Sequence, residues 1–179
     1  MRIKPNDAIQ RISRLTESPI FFMLIGIPGC GKSTFVKKLN AALEQPILVA
    51  STDDLIEQEA VRRRLTYTQA FKEVNFKQIS RQMNEMVAAA IKNNAWIAWD
   101  QTNVVKSSRR KKLATIPDTY TKIGITFHVD DKVLNERLMS RAQATGKVIA
   151  QHIVENMQRN YDAVTKDEGF SYLFEIDNN

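Results

Sequence analysis

Nine residues, GIPGCGKST at positions 26–34, constrain the fold of this 179-residue chain more than any other stretch. The apolar run FFMLI before them predicts a buried strand, and the spacing of Phe35, Val36, Leu39 and Leu43 after them predicts a helix. A strand, a glycine-rich turn and a helix in this order form a phosphate-binding loop, the P-loop. Its backbone N–H groups and the positive end of the helix surround an anion. We therefore expect it to hold the phosphates of a nucleotide.

The type of each residue in the P-loop predicts its role. Lys32 is expected to reach the β- and γ-phosphates of ATP, and the Ser33 hydroxyl to bind Mg²⁺. Asp100 ends a hydrophobic run that is typical of the strand whose carboxylate supports the magnesium ion. Cys30 occupies a variable position and is interpreted as a small filler. The full set predicted to bind the nucleotide is Gly26, Gly29, Cys30, Gly31, Lys32, Ser33, Thr34 and Asp100.

The overall composition is typical of a soluble globular protein, with 43% hydrophobic and 26% charged residues. The length suggests one domain over residues 1–179. No apolar run approaches a membrane span, and the N-terminus lacks the apolar core of a signal peptide, so no membrane partner is expected. The single cysteine favours the reducing cytoplasm. The two histidines are far apart, and a zinc site is not expected.

The basic residues are grouped in the sequence. The net charge of +6 favours a polyanionic partner only mildly, because many metabolite enzymes are as basic. The two densest groups are Arg62–Arg64 and Arg109–Lys112. Each is also compatible with an ordinary solvated helix face.

Strands and helices alternate along the chain. After an N-terminal helical extension (residues 1–18), strands are predicted at PIFFMLIG, ILVAS, AWIAWD, KIGITFHVD and YLFEI. A long helix is predicted from about Thr68 to Lys92, and a helical lid with a loop at residues 142–148. This pattern predicts an α/β fold with a mainly parallel sheet flanked by helices. Ligands of such sheets bind at the carboxyl ends of the strands.

Candidate catalytic residues follow those strand ends. Asp53 comes after the second strand, where a carboxylate can take the proton of an acceptor hydroxyl, although carboxylates are also common helix caps. Arg137 and Arg141 are four residues apart and project from one helix face, ahead of the loop that contains Lys147. With a P-loop elsewhere in the chain, a phosphate-facing lid is the favoured interpretation of the two arginines.

These motifs together resemble the P-loop polynucleotide kinase family, in particular the kinase domain of bacteriophage and animal polynucleotide 5′-kinases. The matching pieces run through most of the chain. They are G-x-P-G-x-G-K-S-T (26–34), Asp53-Asp54, Tyr67-Thr68, D-x-T-N (100–103) followed by Arg109 and Arg110, and R-x-x-x-R (137–141). The D-x-T-N motif with its following arginines and the lid arginines is much more selective than the P-loop alone.

The resemblance implies transfer of the ATP γ-phosphate to a hydroxyl of a nucleic acid. Asp53 would be the general base, and Lys32, Arg141 and Arg137 would act on the phosphates. The acceptor would contact Thr102, Asn103, Arg109, Arg110, Arg62 and Tyr67. The phage enzymes carry an acceptor-binding arginine three residues after the base, where this chain has Ile56.

Several acceptors remain compatible with the sequence. The first hypothesis is a polynucleotide 5′-OH in DNA or RNA. An alternative within the same branch is a kinase that phosphorylates 5-hydroxymethyluracil bases in phage DNA. A small-molecule kinase acting on a nucleoside, sugar or antibiotic, or a zeta-toxin-like enzyme, is a second class. A P-loop ATPase switch is a third, against which Asp53 argues. The sequence does not indicate the oligomeric state.

Overall fold

The central strand of the fold is β1 (Ile20–Ile25), and all six of its residues are buried. The computed structural model describes residues 1–15 and 19–179. Five parallel strands form one sheet in the order β2-β3-β1-β4-β5. The other strands are β2 (Ile47–Ala50), β3 (Trp96–Asp100), β4 (Thr121–His128) and β5 (Tyr172–Asp177).

Helices cover both faces of the sheet. Their bounds are α1 (Pro5–Ile12), α2 (Lys32–Ala42), α3 (Thr52–Arg63), α4 (Tyr67–Glu73), α5 (Phe76–Lys92), α6 (Lys106–Leu113), α7 (Asp131–Thr145) and α8 (Gln151–Arg159), with a 3₁₀ turn at Lys166–Glu168. Alternate residues of a strand point to opposite faces. Phe21 and Met23 therefore join the core beneath α3 and α5, whereas Phe22 and Leu24 join the core beneath α1 and α2. Burial on both faces is why β1 is a continuous apolar run.

The long helix predicted from Thr68 to Lys92 is two helices. α4 ends at Glu73, and the Asn75 side chain accepts hydrogen bonds from the Lys77 and Gln78 N–H groups to begin α5. The apolar spacing continues across this junction, so the pattern did not reveal the break. An asparagine at a helix start satisfies N–H groups that would otherwise lack partners.

The lid differs from its prediction in a similar way. The predicted loop at residues 142–148 is helical up to Thr145, where α7 ends against Gly146. Gly146 has a φ of 68°, a conformation that glycine adopts without steric cost. At the other end of the chain, the predicted N-terminal extension contains α1, and its residues 16–18 lie outside the described residues. In the described ranges, 1–15 and 19–179, no helix combines the length and apolar composition needed to cross a bilayer.

Candidate active site

The P-loop joins β1 to α2 through two glycines in the left-handed region. Gly29 has a φ of 83° and Gly31 a φ of 100°, so residues with side chains would be strained at both positions. The Lys32 ammonium folds back over the loop and donates to the carbonyls of Gly26 (2.8 Å) and Ile27 (3.0 Å). These neutral acceptors leave the charge of Lys32 available for an anion in the loop.

Two further predicted nucleotide-binding residues shape the loop from within. Cys30 is buried, and its sulfur lies 2.6 Å from where a Cβ on Gly26 would stand. Position 26 therefore has to be a glycine when the Cys30 side chain fills this space. Directly after β5, the Asn178 amide donates to the Cys30 carbonyl at 2.7 Å. The segment that follows the last strand therefore helps to fix the P-loop, a contact that no sequence motif indicated.

A cleft of about 1020 Å³ opens at the carboxyl edge of the sheet. One wall is the P-loop, from which Lys32, Ser33 and Thr34 face the cleft. The start of α3, the segment after β3, and Arg137 and Arg141 of α7 complete it. The carboxyl ends of parallel strands meet here, which brings residues distant in sequence to one place.

Ser33 and Asp100 form a hydrogen-bonded pair on the floor of the cleft. The Ser33 hydroxyl donates to the Asp100 carboxylate at 2.7 Å. Burial raises the pKa of Asp100, and the Ser33 hydrogen bond and the charge of Lys32 oppose this rise only in part. A hydroxyl and a carboxylate oxygen are the hard donors that Mg²⁺ prefers. These two residues therefore fit the predicted magnesium site.

Asp53 faces the cleft because another residue caps its helix. The Ser51 hydroxyl accepts from the Asp54 N–H at 3.1 Å, so the Asp53 carboxylate is not needed as a cap. Its two oxygens instead accept from the Tyr67 hydroxyl (2.8 Å) and the Lys147 ammonium (2.5 Å). Burial opposes ionisation, but the hydrogen bonds and the positive charge of Lys147 prevail and hold the pKa of Asp53 below its ordinary value. Asp53 is therefore an ionised carboxylate.

The lid residues approach this carboxylate from α7. Lys147 is buried, and its ammonium lies 3.9 Å from the centre of the Tyr67 ring. The Arg141 guanidinium lies 3.8 Å from the Glu57 carboxylate. The sequence placed Lys147 in the lid loop without giving it a role, since nothing local to it indicated a partner 94 residues earlier.

Arg137 lies deeper than Arg141. Its Nη2 donates to the Asn178 carbonyl at 2.8 Å, whereas its Nη1 is buried without a hydrogen-bond partner among the described residues. A buried donor of this kind is costly unless something accepts from it. Because Arg137 lines the cleft, a phosphate oxygen is a suitable acceptor.

The predicted acceptor contact of Arg109 is wrong. Its side chain is 0% exposed and forms a double hydrogen bond with the buried Glu168 carboxylate, at 2.7 and 2.8 Å. Its remaining donors go to the carbonyls of Asn103, Val104 and Ala163. Arg109 therefore holds the segment after β3 against the chain that precedes β5. The sequence could not show this, because Glu168 is 59 residues away.

Asn103 also has a structural role. It is buried with a φ of 50°, and its amide nitrogen donates to the Leu24 carbonyl at 2.7 Å. This bond fixes the loop after β3 to the central strand. Thr102 lines the cleft, and its carbonyl accepts from the Gly26 N–H at 2.9 Å. Asn103 orders the floor of the cleft and leaves Thr102 accessible on it.

The remaining basic residues predicted to bind the acceptor lie away from the cleft. Arg62 is exposed and paired with Glu59, and Arg110 is exposed and paired with Asp167. Neither lines the cleft. Their contact with an acceptor stays a prediction, and it would lie outside the cleft.

Lys112 is the member of the Arg109–Lys112 group that reaches the cleft. Its ammonium donates to the side-chain oxygens of Gln101 (2.6 Å) and Asn103 (2.5 Å) and lies 5.4 Å from the centre of a Trp99 ring. It forms no ion pair with a carboxylate in residues 1–15 and 19–179. Burial lowers the pKa of Lys112 to about 8. Within the described part of the chain, Lys112 is therefore a cleft cation without a paired carboxylate. The sequence had grouped it with surface charge.

The fold and the cleft define a P-loop domain of the kinase type, a fold that implies nucleotide binding. A family model described as an AAA domain, AAA_33, matches residues 21–164, and the chain belongs to this family. No curated protein matches the chain. The predicted α/β P-loop kinase fold is thus confirmed, while the narrower assignment to polynucleotide kinases stays a prediction.

Solved structures share the fold at low sequence identity. A candidate kinase from Chloroflexus aurantiacus J-10-fl is 18% identical with a TM-score of 0.65, covering 91% of this chain and 87% of that one. A chain of the Pnkp1/Rnl/Hen1 RNA repair complex is 20% identical with a TM-score of 0.65. The match covers 83% of the present chain but only 47% of the chain from the repair complex. A gluconokinase from Sinorhizobium meliloti 1021 is 14% identical with a TM-score of 0.51, over 90% and 84% of the two chains. At these identities the likeness concerns the fold alone.

Proposed function

We propose that the protein is an ATP-dependent kinase that transfers the γ-phosphate to a hydroxyl of a nucleic acid, in the first place a polynucleotide 5′-OH. One observation carries the phosphotransfer: the ionised Asp53 carboxylate lines the same cleft as the P-loop and the Ser33–Asp100 pair. A carboxylate in the same cleft as a phosphate cradle is what transfer to an acceptor hydroxyl requires.

The residues divide the reaction between them. The acceptor oxygen attacks the γ-phosphorus and forms a new P–O bond. The bond from the γ-phosphorus to the β,γ-bridging oxygen breaks, and ADP leaves with that electron pair. Asp53 takes the hydroxyl proton. Lys32, Arg137 and Arg141 stabilise the charge that develops on the phosphate oxygens. Ser33 and Asp100 would hold a magnesium ion, which neutralises phosphate charge when it is bound.

Lys112 supports an anionic acceptor. The position of the phage enzymes' acceptor-binding arginine is Ile56 here, and this side chain is buried in the core. Lys112 supplies a cation from another element, α6, to the same cleft. Gln101 connects Lys112 with the start of α3, which carries Asp53. Its side-chain oxygen accepts from Lys112, and its nitrogen donates to the Thr52 hydroxyl at 3.2 Å. A phosphodiester next to the reacting hydroxyl is an anion that Lys112 could bind.

A transfer assay tests the proposal. Radiolabelled γ-phosphate of ATP is offered to 5′-OH DNA, 5′-OH RNA, DNA containing 5-hydroxymethyluracil, free nucleosides and gluconate. Label is expected on a 5′-OH end, with phosphate release slow when no acceptor is present. Efficient labelling of nucleosides or gluconate alone would contradict the nucleic-acid acceptor. Phosphate release that no acceptor accelerates would contradict a kinase altogether.

The variant Lys112→Met tests the acceptor site itself. The KM for the oligonucleotide should rise roughly ten- to a hundredfold, as expected for loss of a hydrogen bond to a charged group. The KM for ATP should stay unchanged. Lys111→Met is the matched control, because the neighbouring Lys111 side chain is exposed and does not line the cleft. Equal effects of the two variants would remove Lys112 from the acceptor site.

A further inference from the structure

We propose that Lys147 is a positioning residue that orients the base Asp53 and makes its readiness depend on docking of the lid. This inference rests on the proposed phosphotransfer. The lid turn, residues 145–148, begins at the last residue of α7 and contacts α4. The motifs of the sequence assign Lys147 no role.

The surroundings of Lys147 are unusual for a lysine. Its side chain is 4% exposed, although burial of an ammonium group is costly without partners. The partners are the Asp53 carboxylate at 2.5 Å, the Tyr67 ring at 3.9 Å and the Glu57 carboxylate at 3.9 Å. The Asp53 side chain remains 48% exposed. Lys147 thus closes the protein side of the carboxylate while the other side stays open to the cleft.

The lid turn is anchored independently of this ion pair. The Thr68 hydroxyl of α4 donates to the Gly146 carbonyl at 2.6 Å. Within the turn, the Lys147 N–H donates to the Thr145 hydroxyl, which itself donates to the Arg141 carbonyl. Arg141 and Lys147 therefore belong to one connected unit. Arg141 of the lid helix and Lys147 of the turn therefore reach the surroundings of Asp53 together.

The hydrogen bonds fix the orientation of the Asp53 carboxylate and leave it able to accept further hydrogen bonds. Tyr67 donates to one Asp53 oxygen and Lys147 to the other, so the carboxylate cannot rotate freely. Each carboxylate oxygen retains a further lone pair for the acceptor hydroxyl. With Lys147 absent, Asp53 would keep one hydrogen bond and lose its orientation. This should reduce the rate of the chemical step more than the binding of either substrate.

Charge provides a second effect of Lys147. The cations Lys147 and Arg141 favour the ionised form of Asp53, and the Tyr67 hydroxyl hydrogen-bonds to that form. Burial of Asp53 disfavours that form, and so does like-charge repulsion between the Asp53 and Asp100 carboxylates. Removal of Lys147 leaves the repulsion and removes the main attraction. The pKa of Asp53 should therefore rise in Lys147→Met, and the acid limb of the rate should move to higher pH.

The test combines kinetics with a measurement that needs no substrate. In the whole protein, ¹³C NMR titration of the Asp53 carboxyl, assigned with Asp53→Asn, gives its protonation midpoint in wild type and variants. Lys147→Met should raise the midpoint and lower kcat on the order of tenfold, with smaller changes in KM. Lys147→Arg should restore the low midpoint. The matched control Lys132→Met, on the exposed start of α7, should change neither quantity.

The outcomes separate this inference from the proposed function. An unchanged Asp53 midpoint in Lys147→Met overturns the inference, whatever the activity. A raised midpoint in a protein that phosphorylates no offered acceptor supports the contact while contradicting the proposed function. If Lys147→Met does not fold, Lys147→Gln retains a hydrogen-bond donor without charge, and the same upward shift is expected. A kcat loss with no change in the pH profile would mean that Lys147 is only a packing residue, and would also overturn the inference.

Discussion

Replacement of Arg109 by alanine should destabilise the protein strongly without removing a direct contact to the acceptor. Both members of the Arg109–Glu168 ion pair are 0% exposed. The alanine variant would leave the Glu168 carboxylate buried without a counter-ion. It would also remove the hydrogen bonds to the carbonyls of Asn103, Val104 and Ala163.

The size of the effect follows from the burial of the pair. Removal of one partner of a buried ion pair costs about 3–5 kcal/mol in the free energy of unfolding. For a chain of this length each kcal/mol shifts the melting temperature by roughly 2–4 °C, so Arg109→Ala should melt roughly 6–20 °C lower. Burial raises the pKa of Glu168, but the hydrogen bonds and the positive charge of Arg109 prevail and hold this pKa below its ordinary value. The contribution of the pair is therefore present above the ordinary glutamate pKa and is lost as the pH falls through the lowered one.

Thermal and denaturant unfolding followed by circular dichroism measure this effect. Arg110→Ala is the control, because Arg110 is the neighbouring arginine and is exposed in its pair with Asp167. Its unfolding should match that of the wild type. The double variant Arg109→Met, Glu168→Gln removes both charges and should recover much of the loss. The reasoning would be refuted if Arg109→Ala melted like wild type but lost salt-dependent binding of nucleic acid.

Three further predictions concern the reaction. Lys32→Ala should lower the transfer rate on the order of a hundred- to a thousandfold, and a rate within a few fold of wild type would exclude the P-loop from the mechanism. Asp53→Asn should lower the rate by roughly a hundredfold or more with little change in ATP affinity, whereas Asp54→Asn should be mild; the reverse result would exchange their roles. Arg141→Ala should lower kcat far more than it weakens acceptor binding, and steady-state kinetics that showed equal loss of acceptor binding in Arg141→Ala and Arg137→Ala would assign both to the acceptor groove.

The break between α4 and α5 shows where sequence patterns fail at short range. Apolar spacing reports which residues face the core, and it continues from Tyr67 through Val87 across two helices. The break depends on one side chain. Asn75 caps the start of α5 and is not part of one continuous helix. The break leaves α4 as a separate helix, from which the Tyr67 hydroxyl donates to the Asp53 carboxylate.

The basic residues show the same limit at long range. A sequence records that Arg109, Arg110 and Lys112 are cations, but not what each one meets. The tertiary structure buries Arg109 against Glu168, pairs Arg110 with Asp167 at the surface and turns Lys112 into the cleft. The three positions differ because successive residues of α6 face different surroundings, which are formed by segments from other parts of the chain.

The sequence by itself determined the phosphate cradle and the parallel sheet. Both depend on local order: a buried strand, glycines that adopt positive φ and a helix start that presents N–H groups, all within positions 20–43. The tertiary structure alone decided how the cleft is completed. Lys147 meets Asp53 across 94 residues, and Asn178 meets Cys30 across 148. Such contacts exist only after the strands have assembled, because the sheet order, and not the chain order, sets which side chains become neighbours.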